Sequence, residues 1–176
     1  MKTVLITDKL DDEATALLEN RGLQVDKVSN KDLPGVQSAL EHAHGWIVRS
    51  GTTVSAELLE HAKHLAVVGR AGVGVDNIDV AEATRRGIAV LNTPTGNTLA
   101  AVEHTLAMLL ALVRHIPQAH ASLFTEKQWN RSGFSGVELY AKTIGIVGLG
   151  KIGSRVASRC RAFEMQIVAF DPYLSS

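Results

Sequence analysis

One cysteine in 176 residues, Cys160, excludes an intrachain disulfide framework, so burial has to hold the fold together. An excess of charge of either sign is missing too. Eighteen basic and eighteen acidic residues cancel without any block of like charge, which removes the basic footprint that a nucleic-acid or membrane-surface partner requires. No apolar run reaches membrane-spanning length. Leu99 to Val113 is apolar at 12 of 15 positions, but it is short and interrupted by Glu103 and His104. That stretch is expected to be a helix buried on more than one side, with Glu103 and His104 as a satisfied buried polar pair. The start, Met-Lys-Thr-Val-Leu-Ile-Thr-Asp, reaches charge too soon for a signal peptide, and a cytoplasmic chain is expected. What is present is 45% hydrophobic content, enough to bury a core around small-molecule chemistry.

Metal-ligand spacing is equally scarce. Of seven histidines, His61 and His64 lie one turn apart and His42 lies near His44, but no cysteine or carboxylate stands at matching intervals. Surface placement and no metal site are expected. Cys160 falls in line with Ile152, Val156 and Phe163 at helical spacing and reads as a packed apolar residue.

Short apolar strands alternate with helices along the first half of the chain. Strands are expected at Thr3 to Thr7, Leu23 to Val28, Trp46 to Arg49, Leu65 to Val68 and Ile88 to Leu91. Helices are expected from about Asp11 to Asn20, through Gln37 to His42, and over Ala56 to Ala62 and Val80 to Arg86. Asp79 with Glu82 resembles a capping box, while Gly22 and Gly87 are expected to close the helices before them. This rhythm predicts an α/β class: a flavodoxin-like parallel-sheet domain over residues 1–95, followed by the start of a Rossmann dinucleotide-binding domain over 96–176. The turn-rich Asn92-Thr-Pro-Thr-Gly-Asn97 marks the boundary, Pro117 should end or kink the long apolar helix, and Gln118 to Lys142 reads as an extended arm.

The strongest chemical signal comes late. Thr143-Ile-Gly-Ile-Val-Gly148-Leu-Gly150-Lys-Ile-Gly153 reads as a strand, a tight glycine turn and a helix start. Gly148 suits the sharp turn, Gly150 admits a pyrophosphate, and Gly153 lets the helix pack on the sheet. The helix opening near Lys151 aims unpaired amides at an anion. Asp171, 18 positions beyond Gly153, can accept both ribose hydroxyls and repel a 2′-phosphate, favouring NAD over NADP. A phosphate loop from Gly145 to Lys151 fails at Ile152, where a hydroxyl would be required, and Gly145 falls inside the strand.

A second constellation follows two other strands. Arg49-Ser50-Gly51-Thr52 and Gly69-Arg70-Ala-Gly72-Val-Gly74 are expected to share a crevice beyond the carboxyl ends of a parallel sheet. Gly72 and Gly74 free the backbone for positive φ and an anion nest, and Arg49 and Arg70 offer forked donors. The implied ligand is small and strongly anionic. The alternative is that both arginines pair with Glu57, Asp76 or Asp79.

Ile47-Val-Arg-Ser50, Val68-Gly-Arg-Ala-Gly-Val-Gly-Val-Asp-Asn-Ile-Asp79, Asn92-Thr-Pro-Thr-Gly-Asn97, the glycine turn and Asp171-Pro-Tyr together closely resemble the D-2-hydroxyacid dehydrogenase family along essentially the whole chain. The resemblance implies NAD-dependent oxidation of a 2-hydroxy acid, here a phosphorylated one, in a homodimer or higher homo-oligomer formed through residues 97–140. It implies that the substrate carboxylate meets amides around Val73 and Gly74. Arg49, in the loop with Ser50, and Asn97 would address the phosphate end, assisted by Arg70 and by Arg131 of the partner subunit. The cofactor would lie on Gly148, Gly150 and Gly153, with Lys151 and Ile152 at the pyrophosphate, Asp171 at the ribose and Pro172 beside the adenine. Lys151 replaces the commoner arginine, keeping charge but losing the fork, and Val73 stands where threonine occurs in relatives. The family's catalytic Arg, Glu and His would lie beyond Ser176, so the chain is expected to be an N-terminal part without catalytic residues of its own. Two other readings remain open: a dehydrogenase of glycerate, glyoxylate or lactate, and a non-catalytic dinucleotide-sensing or assembly module.

Overall fold

Helical crossovers between short strands permit only parallel pairing, and the computed structural model, which describes residues 1–174, has that arrangement. Five strands, β1 (Thr3–Ile6), β2 (Gln24–Lys27), β3 (Gly45–Val48), β4 (Val67–Arg70) and β5 (Ala89–Asn92), form one sheet in the order β2-β1-β3-β4-β5. The helices between them are α1 (Asp12–Glu19), α2 (Leu33–Leu40), α3 (Ala56–Glu60) and α4 (Val80–Arg85). This is the flavodoxin-like order, with its switch point between β1 and β3. The chain divides into two units, Met1–Gly96 and Asn97–Ser176, and this sheet lies in the first.

The first core gathers Leu5, Leu40, Trp46, Leu59 and Val68, all fully buried. Trp46 brings a polar atom inside with it, and a buried indole N–H needs an acceptor. Its Nε1 donates to Thr7 Oγ1 at 3.0 Å, and that hydroxyl meets Thr52 Oγ1 at 2.9 Å. The same three side chains therefore fill the sheet and tie the end of β1 to the loop after β3.

Several boundaries differ from the sequence reading, each for a local reason. Helix α2 begins at Leu33, well before Gln37, because Asp32 caps it by accepting the Gly35 amide at 3.1 Å and Pro34 occupies its first turn. Strand β4 runs to Arg70 instead of ending at Val68. There Gly69 and Arg70 pair with Ile47 and Val48 on one side and with Leu91 and Asn92 on the other, so ladder bonding on both edges overrides glycine's weak strand preference. Asp79 caps α4 by accepting the Glu82 amide at 2.9 Å. Glu82 does not complete the box. Its carboxylate takes Arg85 and Arg86 guanidinium donors at 2.5 to 2.8 Å, and those bonds hold its pKa down at about 2. Gly22 and Gly87 adopt φ of 76° and 71° and close their helices.

The second unit contains α5 (Thr98–Val113), α6 (Ile116–His120), a π-helical turn over Ala121–Thr125, β6 (Thr143–Val147), α7 (Gly153–Ala162) and β7 (Gln166–Phe170). Strands β6 and β7 pair in parallel around α7. Pro117 has no N–H, and its ring would strike the Val113 carbonyl of a continuous helix. Accordingly α5 stops at Val113, His115 turns left-handed at φ 52°, and the next helical segment departs at 63°. The released Val113 carbonyl accepts the Val137 amide at 2.8 Å, beside Gly136, whose φ is 51°.

Residues 118–125 are thus helical, where an extended arm was expected over Gln118 to Lys142. Two further corrections concern α5. Glu103 and His104 are exposed instead of forming a buried pair, and only Thr98 and Val102 are buried on this helix, leaving Met108 and Leu112 in solvent. Val102 packs with Val156, Cys160 and Met165. Burial raises the Cys160 thiol pKa, which suits a packing role. All seven histidines are exposed or half-buried, and no metal-holding cluster of His, Cys, Asp or Glu occurs among the described residues. No single helix there is long and apolar enough to cross a membrane.

Thr7→Val removes the acceptor of Trp46 Nε1 and the partner of Thr52 while keeping the shape of the side chain. Urea denaturation should show a loss of about 1–3 kcal/mol, the cost of leaving buried polar groups unsatisfied; unchanged stability would remove this network from the fold's supports.

Candidate active site

Each glycine of the β6–α7 turn has a distinct physical reason to lack a side chain. Gly148 adopts φ 92°, closed to most residues without strain, while its amide donates to the Phe170 carbonyl at 2.7 Å. Gly150 faces open space, with no atom within 4 Å of where a Cβ would stand. Gly153 is the opposite case, since a Cβ there would lie on the Gly148 carbonyl oxygen. The helix can start this close to the strand end only because that atom is absent.

Helix α7 then presents its first turn with no acidic residue and no side-chain cap at Ile152, leaving the positive end of the helix dipole for an anion. Asp171, after β7, is half-buried and reaches back across the turn. Its Oδ2 accepts the Leu149 amide at 2.7 Å and its Oδ1 the Tyr173 amide at 2.9 Å. Lys151, Ile152 and Pro172 are exposed around this turn. An open glycine, a helix start without a side-chain cap and an acidic residue just past the adjacent strand fit a dinucleotide. Gly148, Gly150 and Gly153 would admit the pyrophosphate, and Asp171 would address the ribose.

In the first unit, the carboxyl ends of β3 and β4 bring Arg49, Ser50, Arg70, Val73 and Gly74 to one edge of the sheet. Neither arginine forms an ion pair among the described residues, so pairing with Glu57, Asp76 or Asp79 does not occur. Arg49 is exposed and makes one long bond, Nη1 to the Lys9 carbonyl at 3.3 Å. Arg70 Nε is buried with no acceptor. Its guanidinium lies against the loop that follows, close enough that a Cβ on Gly72 would collide with Nη1.

That contact corrects the expected use of the glycines. Neither Gly72 nor Gly74 has a positive φ. They make room instead, Gly72 for the Arg70 guanidinium and Gly74 for the Asp76 carboxylate. The loop is pinned from behind by Asn92, whose Nδ2 donates to the Val73 carbonyl at 2.6 Å, and by Thr93, whose amide donates to the Gly72 carbonyl at 2.9 Å. With those carbonyls engaged, the exposed Val73 and Gly74 amides have no protein acceptor among the described residues.

Asn97 and Arg131 belong to the second unit: Asn97 precedes α5 without capping it through its side chain, and Arg131 is exposed on the irregular stretch before β6. Three residues of the first site were not singled out from sequence. Asp8, Asn77 and Asn92 hold its loops through side-chain bonds to main chain. Their signal is positional, since each is a short polar residue at or just past a strand end or inside the glycine-rich loop.

Parallel sheet, strand-end arginines and glycine turn suit a small anion in the first unit and a dinucleotide in the second. The family model for the D-isomer specific 2-hydroxyacid dehydrogenase catalytic domain matches residues 4–173, and the chain belongs to this family. It is 47% identical over 175 residues to D-3-phosphoglycerate dehydrogenase of Rattus norvegicus, covering 99% of the chain and 33% of the relative. Against the enzyme of the same name from Mycobacterium tuberculosis it is 49% identical over 175 residues, with the same coverage of 99% and 33%. Among solved structures it resembles the NAD-bound 3-phosphoglycerate dehydrogenase of Entamoeba histolytica, with a TM-score of 0.76 and 25% identity over 99% of the chain and 55% of that one. The chain thus spans about a third of the length of the curated relatives it matches.

Proposed function

We propose that this chain forms the substrate-binding unit and the first part of the cofactor-binding unit of an NAD-dependent D-3-phosphoglycerate dehydrogenase, which oxidises 3-phosphoglycerate to 3-phosphohydroxypyruvate at the entry to serine synthesis. The observation that carries this reading is the pair of arginines without ion-pair partners beside the open Val73 and Gly74 amides. That is a larger anion capacity than one carboxylate needs.

In this reading the Val73 and Gly74 amides receive the substrate carboxylate, while Arg49 and Asn97 address the phosphate with Ser50 at the loop edge. Arg70, and Arg131 of the partner subunit, add positive charge. Guanidinium donors bind carboxylate and phosphate oxygens through charge-assisted bonds, and these orient C2. NAD, when bound, would supply the hydride acceptor for C2. Gly148, Gly150, Lys151, Ile152 and Gly153 would hold its pyrophosphate and Asp171 its adenosine ribose, with Pro172 at the adenine end. By the family resemblance, the hydroxyl proton would go to a general base outside residues 1–176. The chain alone is proposed to bind without turning over. A cytoplasmic setting agrees with a single, buried cysteine.

Assembly belongs to the same proposal. Met108 and Leu112 on α5, Ile116 on α6, and Phe124 and Trp129 beyond it are all more than half exposed. Apolar area left in water forfeits roughly 25 cal/mol per Å², so a second copy is the proposed cover, in a two-fold pair through residues 97–140.

In the full-length enzyme, Arg49→Ala should lower kcat/KM for 3-phosphoglycerate by roughly 10–100-fold while affecting an unphosphorylated 2-hydroxy acid much less. Equal losses would point to another substrate, and NADH formation by residues 1–176 alone would refute the assignment of the proton acceptor elsewhere. Asp171→Ala should weaken NAD binding and relax discrimination against NADP, because both hydroxyl contacts and the repulsion of a 2′-phosphate disappear together; an unaltered preference removes Asp171 from that role. Sedimentation should find a dimer at micromolar concentration, and a stable monomer would contradict the proposed interface.

A further inference from the structure

Arg49 stands one residue past the end of β3, where the sheet no longer supplies partners on both sides. Two side chains from different loops take over. The Arg49 amide donates to Asp8 Oδ2 at 2.7 Å, and its carbonyl accepts from Asn77 Nδ2 at 2.8 Å. Asp8 follows β1, whereas Asn77 belongs to the loop between β4 and α4. The main chain of residue 49 is thus held at both ends, from opposite sides.

Neither holder is free to drift. Asp8 Oδ1 also accepts Asn30 Nδ2 at 3.3 Å, and Gly51 packs so closely that a Cβ there would collide with both of those atoms. Asn77 gives its second amide hydrogen to the Thr52 carbonyl at 2.6 Å, and its Oδ1 is buried with no donor. Two carbonyls facing one terminal group require it to be the NH₂. Among the described residues the guanidinium itself has only the long contact to Lys9. Its location is therefore decided by the backbone below it.

Resting on the substrate reading above, we infer that Asp8 and Asn77 are positioning residues that clamp the Arg49 main chain and so set where its guanidinium meets the phosphate end of the substrate. Asp8 touches no reacting atom; it acts through Arg49. Asn77 does the same and also ties the Arg49–Thr52 loop to the loop carrying the Val73 and Gly74 amides, so both halves of the anion site keep one spacing. Small displacements of a binding group carry large rate costs.

The test is a double-mutant cycle in the full-length enzyme with 3-phosphoglycerate and NAD. Asp8→Ala should raise KM for 3-phosphoglycerate roughly tenfold while KM for NAD stays put, and it should add less than about twofold in an Arg49→Ala background. Asp8→Asn, which keeps an oxygen to accept the Arg49 amide, should recover most of the loss. Asn77→Ser, too short to reach either carbonyl, runs the same cycle from the other loop, so a folding failure of one variant leaves the other decisive. Equal factors with and without Arg49, or no change in KM for either variant, overturn the clamp while leaving the role of Arg49 intact. If Arg49→Ala alone leaves KM unchanged, the substrate reading fails first and the clamp falls with it.

Discussion

Parallel pairing places the carboxyl ends of β1, β3, β4 and β5 along one edge of the sheet, and the first candidate site depends on that constraint. Asp8, Arg49, Arg70 and Asn92 lie far apart in sequence but each stands at or just past such an end. An antiparallel arrangement would have sent alternate members of the set to the opposite edge. The hydroxyl link from Trp46 through Thr7 to Thr52 connects the core to that edge, because its last member is already in the Arg49 loop.

The two candidate sites solve anion binding differently. In the second unit the device is a helix start brought close to a strand end by a missing Cβ at Gly153, with Asp171 just past the neighbouring strand, where it is proposed to meet a sugar. In the first unit it is side-chain charge. Arg70, half-buried with its Nε unpaired, lies against the glycine loop, and the loop's carbonyls are turned away by Asn92 and Thr93, which leaves its amides for a ligand. An unpaired buried guanidinium N–H is costly unless a ligand completes it.

Alternation of short apolar runs with amphipathic ones was sufficient to read the α/β class, and the spacing of Gly148, Gly150, Gly153 and Asp171 was sufficient to read a dinucleotide turn, because both depend on local backbone geometry and on periods of two and 3.6 residues. Boundaries were less legible. Asp32 and Pro34 start α2 early through a cap that the following Pro-Gly pair obscures, and β4 runs through Gly69 and Arg70 because strands on both sides demand it.

By itself the sequence determined which residue types stood at the strand ends and which glycines shaped the nucleotide turn, since those follow from chain order and local sterics. Only tertiary structure decided what each polar group met. That Gly72 yields space to Arg70 instead of turning left-handed, that Glu82 serves two arginines instead of closing a capping box, and that Asp8 and Asn77 grip Arg49 from either side are long-range or side-chain-packing outcomes. Hydrogen-bond partners separated by 41 and 28 positions leave no periodicity in a sequence; they exist because the folded sheet brings those strand ends within a few ångströms of one another.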